Sequence, residues 1–355
     1  MSKAVQTAIV GVTGYAGAEL ARLLLHHPRL QGVPPVFAGR IDEKDAARGG
    51  VPLTEIHPQL ADNNGSASLR LQAFSWELLA ERGVDVLFLA TPHEQSREWV
   101  PEALARGLRV IDLSGAWRMT NAANRAVYTF HDEGTDAAIT TQSQAVYGMP
   151  ELHRQMIANA RLIANPGCYA TSVILPLRPL VAAGIVDLEA GIVADSKSGV
   201  SGAGKAPTAK THFMYAADNL SAYGVFTHRH TGELLEQIGL NADQLTFTPH
   251  LLPIPRGILS TLYVRFRTPQ SREDVARIYR DFFASSPMVR FYDHTLPQIQ
   301  YSVRTNFADI GFQLSADGRR AVIVSCLDNL LKGASGQAVQ NLNVMFGWNE
   351  AEGLA

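Results

Sequence analysis

The chain has 355 residues, of which 46% are hydrophobic and 18% charged, and a formal net charge of −2. That length holds two domains with substantial cores, and the near-neutral balance gives no electrostatic reason to expect nucleic acid or a membrane surface as partner. Two cysteines cannot build a disulfide framework and share no metal-ligand spacing, so a cytoplasmic α/β chain with a free thiol and no metal is expected.

The start, M-S-K-A-V-Q-T, has no signal-peptide apolar core and runs into the strand-like Ala8-Ile9-Val10. No apolar run in the sequence approaches the length of a membrane span. The first strand ends in G-V-T-G-Y-A-G, and Ala18 to Leu25 then reads as a helix with Leu20, Leu23 and Leu24 on one face. Strand, glycine turn and helix are the setting of a dinucleotide-binding turn. It would set Gly11, Thr13, Gly14, Tyr15, Ala16 and Gly17 against a pyrophosphate at the helix N-terminus. The spacing is G-x-x-G-x-x-G rather than G-x-G-x-x-G, and a tight packing turn is the alternative. After the next strand, Pro35–Ala38, Arg40 stands where an NAD site usually carries an acid. A cation suits a 2′-phosphate, which favours NADP(H) over NAD; a solvated surface arginine is the alternative.

Residues 41–70 read as a loop-rich excursion with short strands, containing Gly49-Gly50 and Asp62-Asn63-Asn64-Gly65. A helix near Ser75–Arg82, a strand Val84–Ala90, a helix Glu94–Gly107 and a strand Val110–Ser114 follow. This alternation predicts a parallel sheet, with Thr91–His93 and Ser114–Arg118 near a ligand beyond the strand ends.

From Ile163 the sequence reads I-A-N-P-G-C-Y-A-T-S-V-I-L. Pro166 ends an incoming strand, Gly167 permits a sharp reversal, and Val173, Ile174, Leu177, Leu180 and Val181 recur at helical spacing. Cys168 therefore stands at the start of a helix, whose free amides are expected to lower its pKa and to hold an oxyanion. Pro176 and Pro179 predict a kink or a later helix start. Cys326, inside an apolar run, reads as core.

A strand Ile192–Ser196 leads into S-K-S-G-V-S-G-A-G-K, Ser196 to Lys205, whose glycines expose amides to an anion or a flat ring. His228 and His230 bracket Arg229, and Thr231 can cap the following helix. A metal pair is weaker than acid–base chemistry here, because no Cys, Asp or Glu stands at matching spacing. His228 is the first candidate for the proton-transfer partner of Cys168; no spacing argument excludes His230, and His250 is next. Ser271–Ser285 reads as a helix.

The stretch Asn165-Pro166-Gly167-Cys168-Tyr169-Ala170-Thr171 resembles the active-site signature of N-acetyl-gamma-glutamyl-phosphate reductases, relatives of aspartate-semialdehyde dehydrogenase. Val110–Met119 is similar to a family segment usually written I-D-L-S-A-D-F-R, with Gly115-Ala116-Trp117 as the departure. Tyr147-Gly148-Met149-Pro150-Glu151, the Ser198–Gly204 loop, His228–Glu233, Phe247–Tyr263 and the run from Asp328 also match, so the resemblance covers most of the chain. Gly232 replaces the proline of the family's H-R-H-x-P-E and is expected to loosen that turn.

The resemblance implies substrate contacts from Arg118, Asn165 and Glu233, and cofactor contacts from Ser198, Gly199, Gly202 and Asn329. It implies a Rossmann-like domain, residues 1–164 with 328–355, that binds NADP(H). An α+β catalytic and oligomerisation domain, residues 165–327, would carry a mixed, largely antiparallel sheet. The implied reaction is NADPH-dependent reduction of N-acetyl-gamma-glutamyl phosphate to N-acetylglutamate semialdehyde, through a thioester on Cys168, in a homodimer or homotetramer. An aminoadipyl- or aspartyl-phosphate reductase, or a dinucleotide sensor with a structural cysteine, are the alternatives.

Overall fold

A computed structural model describes residues 4–61 and 68–354. Eight short strands form the first sheet: β1 (Thr7–Val10), β2 (Val36–Gly39), β3 (Val51–Pro52), β4 (Arg70–Ala73), β5 (Val86–Leu89), β6 (Arg109–Asp112), β7 (Ala145–Tyr147) and β8 (Leu162–Ala164). Their order is β3-β4-β2-β1-β5-β6-β8-β7, parallel throughout except for the β3–β4 pair. Strands covered on both faces read as continuous apolar runs, as V-L-F-L of β5 does. Ile9, Phe88 and Ile111 pack into one core with the helix Tyr15–Leu25, while Ala8, Val10 and Leu87 pack into another with the helix His93–Ala105.

The excursion after Arg40 holds more structure than the sequence suggests. Helices Glu43–Ala47 and Leu53–Ile56 flank β3, and β4 joins the sheet beside β2. Asp42 caps the first of these helices by accepting from the Asp45 amide, a local signal visible in the sequence. Asp62-Asn63-Asn64-Gly65 lies outside the described residues.

The second sheet has seven strands: β9 (Ile192–Gly199), β10 (Ser221–Ala222), β11 (Leu245–Leu252), β12 (Ile258–Arg265), β13 (Val289–Tyr292), β14 (Ala308–Leu314) and β15 (Arg320–Leu327). They lie in the order β10-β11-β9-β12-β15-β14-β13, mixed but largely antiparallel. Strands β11 and β12 alternate buried and accessible residues, because one face is covered and the other open. The covering layer includes the helices Cys168–Ala182, Thr231–Ile238 and Arg272–Phe282. The first of these starts at Cys168 itself and continues through Pro176 and Pro179, so the expected late start is not observed. Cys326 is buried in β15.

After β15 the chain returns to the first domain through a π-helical turn, Leu331–Ser335, and the helix Gly336–Met345. That helix packs on the β1 side with Leu20 and Leu24, and Asn343 hydrogen-bonds His27 at 2.9 Å. Among the described residues no helix is long and apolar enough to cross a membrane.

Candidate active site

The two sheets meet at the end of β8. Asn165 donates its side-chain amide to the Ala334 carbonyl and accepts from Asn341, both at 3.0 Å, and its backbone N–H is held by the Asp112 carbonyl. Its side chain is thus engaged with the C-terminal segment. Gly167 is the N-cap of the following helix and Cys168 its first residue, as the turn chemistry predicts.

The Gly167 amide donates to Glu233 Oε2 at 3.0 Å. The same carboxylate accepts from Tyr147 Oη at 2.9 Å and from Arg118 Nη1 at 3.0 Å. Glu233 is fully buried, and Arg118 also donates to the Leu113 carbonyl at 2.7 Å. Arg118 and Glu233 therefore pair with each other and hold the turn before the cysteine, while Arg118 Nε is buried with no hydrogen-bond partner among the described residues. Burial is the largest single influence on Arg118 and lowers its pKa, but Glu233, Tyr128, Tyr147 and Asp112 together raise the value. Tyr147 is kept neutral, first by burial and then by Glu233, so it remains a donor. Tyr147 was quoted in the sequence only as part of a motif; its role depends on a carboxylate 86 positions away.

Cys168, Tyr169, Ser198, Gly199, Gly202, Tyr223, Lys210, His228, Arg229 and His230 line one cavity of about 400 Å³. The rings of His228 and His230 are 4.8 Å apart, and Tyr169 meets both edge-on. Burial is the main reason that both imidazoles stay neutral. Burial and then Arg229 bring His228 down to about 4; burial, His228 and Arg118 hold His230 well below its usual range. Nδ1 of His228 accepts from the His230 backbone N–H at 3.1 Å, which leaves the neutral ring's proton on Nε2. Nδ1 of His230 is buried without a hydrogen-bond partner among the described residues. His250 is turned away toward Asp195 at 3.1 Å.

Here the expected low thiol pKa is corrected. Burial pushes Cys168 up to about 11, against the opposing pull of the Tyr169 amide and Arg118. A helix N-terminus favours a thiolate, but desolvation costs more than those donors return. The resting pair is thus a neutral thiol and neutral imidazoles. Gly232 is also not a loosening element: a β-carbon there would lie 2.3 Å from Met119 Sδ and 2.8 Å from Asn124 Cβ. The close approach of that loop requires the glycine.

A second cavity, of about 650 Å³, is lined by Tyr15, Ala18, Glu19, Val200, Ser201, Lys205, Arg256 and Leu330 among others. It runs between the glycine turn after β1 and the loop after β9, and both cavities reach Thr211. Gly11 has φ +95°, and a β-carbon on it would meet the Ala90 carbonyl oxygen at 2.3 Å; Gly17 would meet that of Gly11 at 2.2 Å. Gly14 has no such neighbour, so its open face and the amides of the first helical turn fit a pyrophosphate. Thr91 Oγ1, at the end of β5, is buried with no hydrogen-bond partner among the described residues, which suits a ligand at the point where the strand order reverses. Thr13 lies on the glycine turn, and Tyr15 and Ala16 open the helix that follows it. Asn329 acts on the groove indirectly, donating to Ser201 Oγ at 2.9 Å and accepting from the Gly257 amide at 2.7 Å. Arg40 is exposed at the end of β2, with no hydrogen bond or ion pair among the described residues.

Comparison with known proteins agrees with this arrangement. Residues 6–160 match the family model of the semialdehyde dehydrogenase NAD binding domain, and residues 168–329 that of the semialdehyde dehydrogenase dimerisation domain. The chain is 42% identical over 356 aligned positions to N-acetyl-gamma-glutamyl-phosphate reductase of Desulfotalea psychrophila, covering 99% of this chain and 98% of that one. It is 40% identical to the protein of that name from Methanocaldococcus jannaschii, with coverage of 98% and 97%. Among solved structures, aspartate semialdehyde dehydrogenase II from Vibrio cholerae superposes with a TM-score of 0.69 at 20% identity, covering 97% of this chain and 98% of that one. That likeness establishes the shared fold.

Proposed function

Because the chain belongs to the N-acetyl-gamma-glutamyl-phosphate reductase family, we propose that it carries out the NADPH-dependent reductive dephosphorylation of N-acetyl-gamma-glutamyl phosphate to N-acetylglutamate 5-semialdehyde. This is a step of arginine biosynthesis. The observation that carries the reading is Cys168 at the first residue of its helix, on the wall of a cavity it shares with two neutral histidines.

The Cys168 sulfur attacks the acyl carbon, the bond to the phosphate oxygen breaks, and inorganic phosphate leaves a thioester. Its proton passes to a neutral imidazole. The His230 ring lies against Gly167, the residue before the nucleophile, which supports His230 as that base, whereas the Nδ1 of His228 is already occupied and its Nε2–H is a donor. Bound NADPH supplies the hydride that reduces the thioester. Amides at the start of the cysteine helix hold the resulting oxyanion, and the C–S bond breaks to release the aldehyde as sulfur takes back its proton. Arg229 and Lys210, both on the cavity wall, are the cations for the substrate phosphate. Gly11, Gly14 and Gly17 would bind the pyrophosphate, with Ser198, Gly199 and Gly202 toward the nicotinamide end and Arg40 toward a 2′-phosphate.

The domain that holds Cys168 through Asn329 matches a dimerisation model, which supports a homodimer or homotetramer. A catalytic thiol of this kind suits the reducing cytoplasm.

The test is turnover in the reverse direction with phosphate, NADP+ and each of three semialdehydes: N-acetylglutamate, aspartate and aminoadipate. The N-acetylglutamate compound is expected to be preferred, and Cys168→Ser to abolish turnover while retaining NADPH binding. Preference for another semialdehyde, or an active serine variant, overturns the reading.

A further inference from the structure

The π-helical turn Leu331–Ser335 touches both halves of the site. Two amides in it bond five residues back, Gly333 to the Asp328 carbonyl and Ser335 to that of Leu330, each at 2.9 Å. Such widened turns inside helical segments frequently occur at functional sites. The widening brings Gly333 onto the cysteine: a β-carbon at 333 would lie 2.7 Å from Cys168 Cβ and 3.2 Å from its Cα. Two residues on, Ser335 Oγ donates to the Ala16 carbonyl at 2.6 Å, inside the first turn of the helix that follows the dinucleotide glycines. The Ala334 carbonyl accepts from Asn165, just before Cys168. Lys332, completely buried, is fixed by Glu151 Oε1 and Gln340 Oε1, both at 2.6 Å. The turn is therefore rigidly anchored, with one edge on the nucleophile and the other on the cofactor turn.

We propose that this turn is a positioning element that couples occupancy of the dinucleotide groove to the placement of Cys168, with Gly333 and Ser335 as the positioning residues. Any adjustment of the Tyr15–Leu25 helix on binding a pyrophosphate reaches Ser335 through one hydrogen bond. Gly333, two residues away on the same turn, which moves as one piece, then passes it to the Cys168 side chain. The inference rests on the reading of Cys168 as nucleophile, but its test is read on the thiol itself and needs no turnover.

The experiment measures iodoacetamide labelling of Cys168 by peptide mass spectrometry, with and without saturating NADP+, alongside NADP+ affinity. In the wild type, NADP+ is expected to change the labelling rate severalfold beyond simple occlusion, altering its pH profile as well as its rate. Ser335→Ala is expected to bind NADP+ yet lose the change in pH profile, and Ser335→Thr, which keeps the hydroxyl, to restore it. Gly333→Ala is expected to shift the labelling profile of the free enzyme and to lower kcat by roughly 10²-fold at little cost in the KM for NADPH, the scale of a misplaced reacting group. Coupling is overturned if the wild-type pH profile ignores NADP+, or if Ser335→Ala responds as the wild type does. Should Gly333→Ala fail to fold, the Ser335 pair decides the question alone. Loss of turnover in Cys168→Ser reports separately on the nucleophile, so the two ideas fail by different results.

Discussion

The imidazole of His230 lies against the α-carbon of Gly167, so close that a β-carbon on that glycine would come within 2.4 Å of His230 Nε2. The residue preceding the nucleophile and the candidate base are thus in direct contact. Gly167→Ala is expected to push the ring off its position while the helix after it still forms. A fall in kcat of roughly 10²-fold, with the KM for NADPH nearly unchanged, is the expected signature. Steady-state kinetics in both substrates check it, and a variant with wild-type kcat would separate His230 from the chemistry.

The pH behaviour of the thiol follows from its burial. With Cys168 pushed up to about 11, the free enzyme's labelling rate should keep rising with pH well past about 8.5, where an ordinary thiol begins to level off. The sign is that of an acid whose charged form is disfavoured: less thiolate at neutral pH, more as pH climbs. His230→Asn is expected to lower kcat by roughly 10²–10⁴-fold, and His228→Asn by less, since its Nδ1 is engaged with the loop. Labelling that levels off below neutral pH would restore the helix N-terminus as the dominant influence. Equal losses in the two histidine variants would remove the distinction between them.

Arg40→Asp is expected to move cofactor preference from NADPH toward NADH. The side chain is exposed at the carboxyl end of β2 and engages no other described residue, so it is free to meet a 2′-phosphate. The ratio of kcat/KM for the two cofactors is the measurement. An unchanged ratio would return Arg40 to the solvent.

Lys332 and Glu151 are a completely buried ion pair at 2.6 Å, and Lys332 holds Glu151 below the usual carboxylate range against the opposing effect of burial. Lys332→Ala strands that carboxylate and is expected to cost about 3–5 kcal/mol, whereas the double change Lys332→Met with Glu151→Leu should recover most of the loss. Urea denaturation of the three proteins gives the comparison.

Much of this protein is written locally. The glycines of β1's turn, the proline and glycine before Cys168, and the helical spacing after it follow from backbone sterics and periodicity, and the structure keeps all of them. The excursion after Arg40 carries the short strands its sequence predicts, but its helices escape periodicity because they are only one turn long, although Asp42 marks one helix start.

What the tertiary structure decided is how those local pieces are charged and paired. Arg118 and Glu233 each read as substrate ligands; folding also brings them 3.0 Å apart as a buried ion pair, with Arg118 Nε left without a hydrogen-bond partner among the described residues. The cysteine's helix start was legible, but its pKa depends on how deeply other segments bury it, and here burial outweighs the helix N-terminus. The contact of Gly333 with Cys168, 165 positions along the chain, carries no local signal at all. Periodicity and turn chemistry act over a few neighbouring residues, whereas desolvation and close packing are set by whichever distant segments arrive.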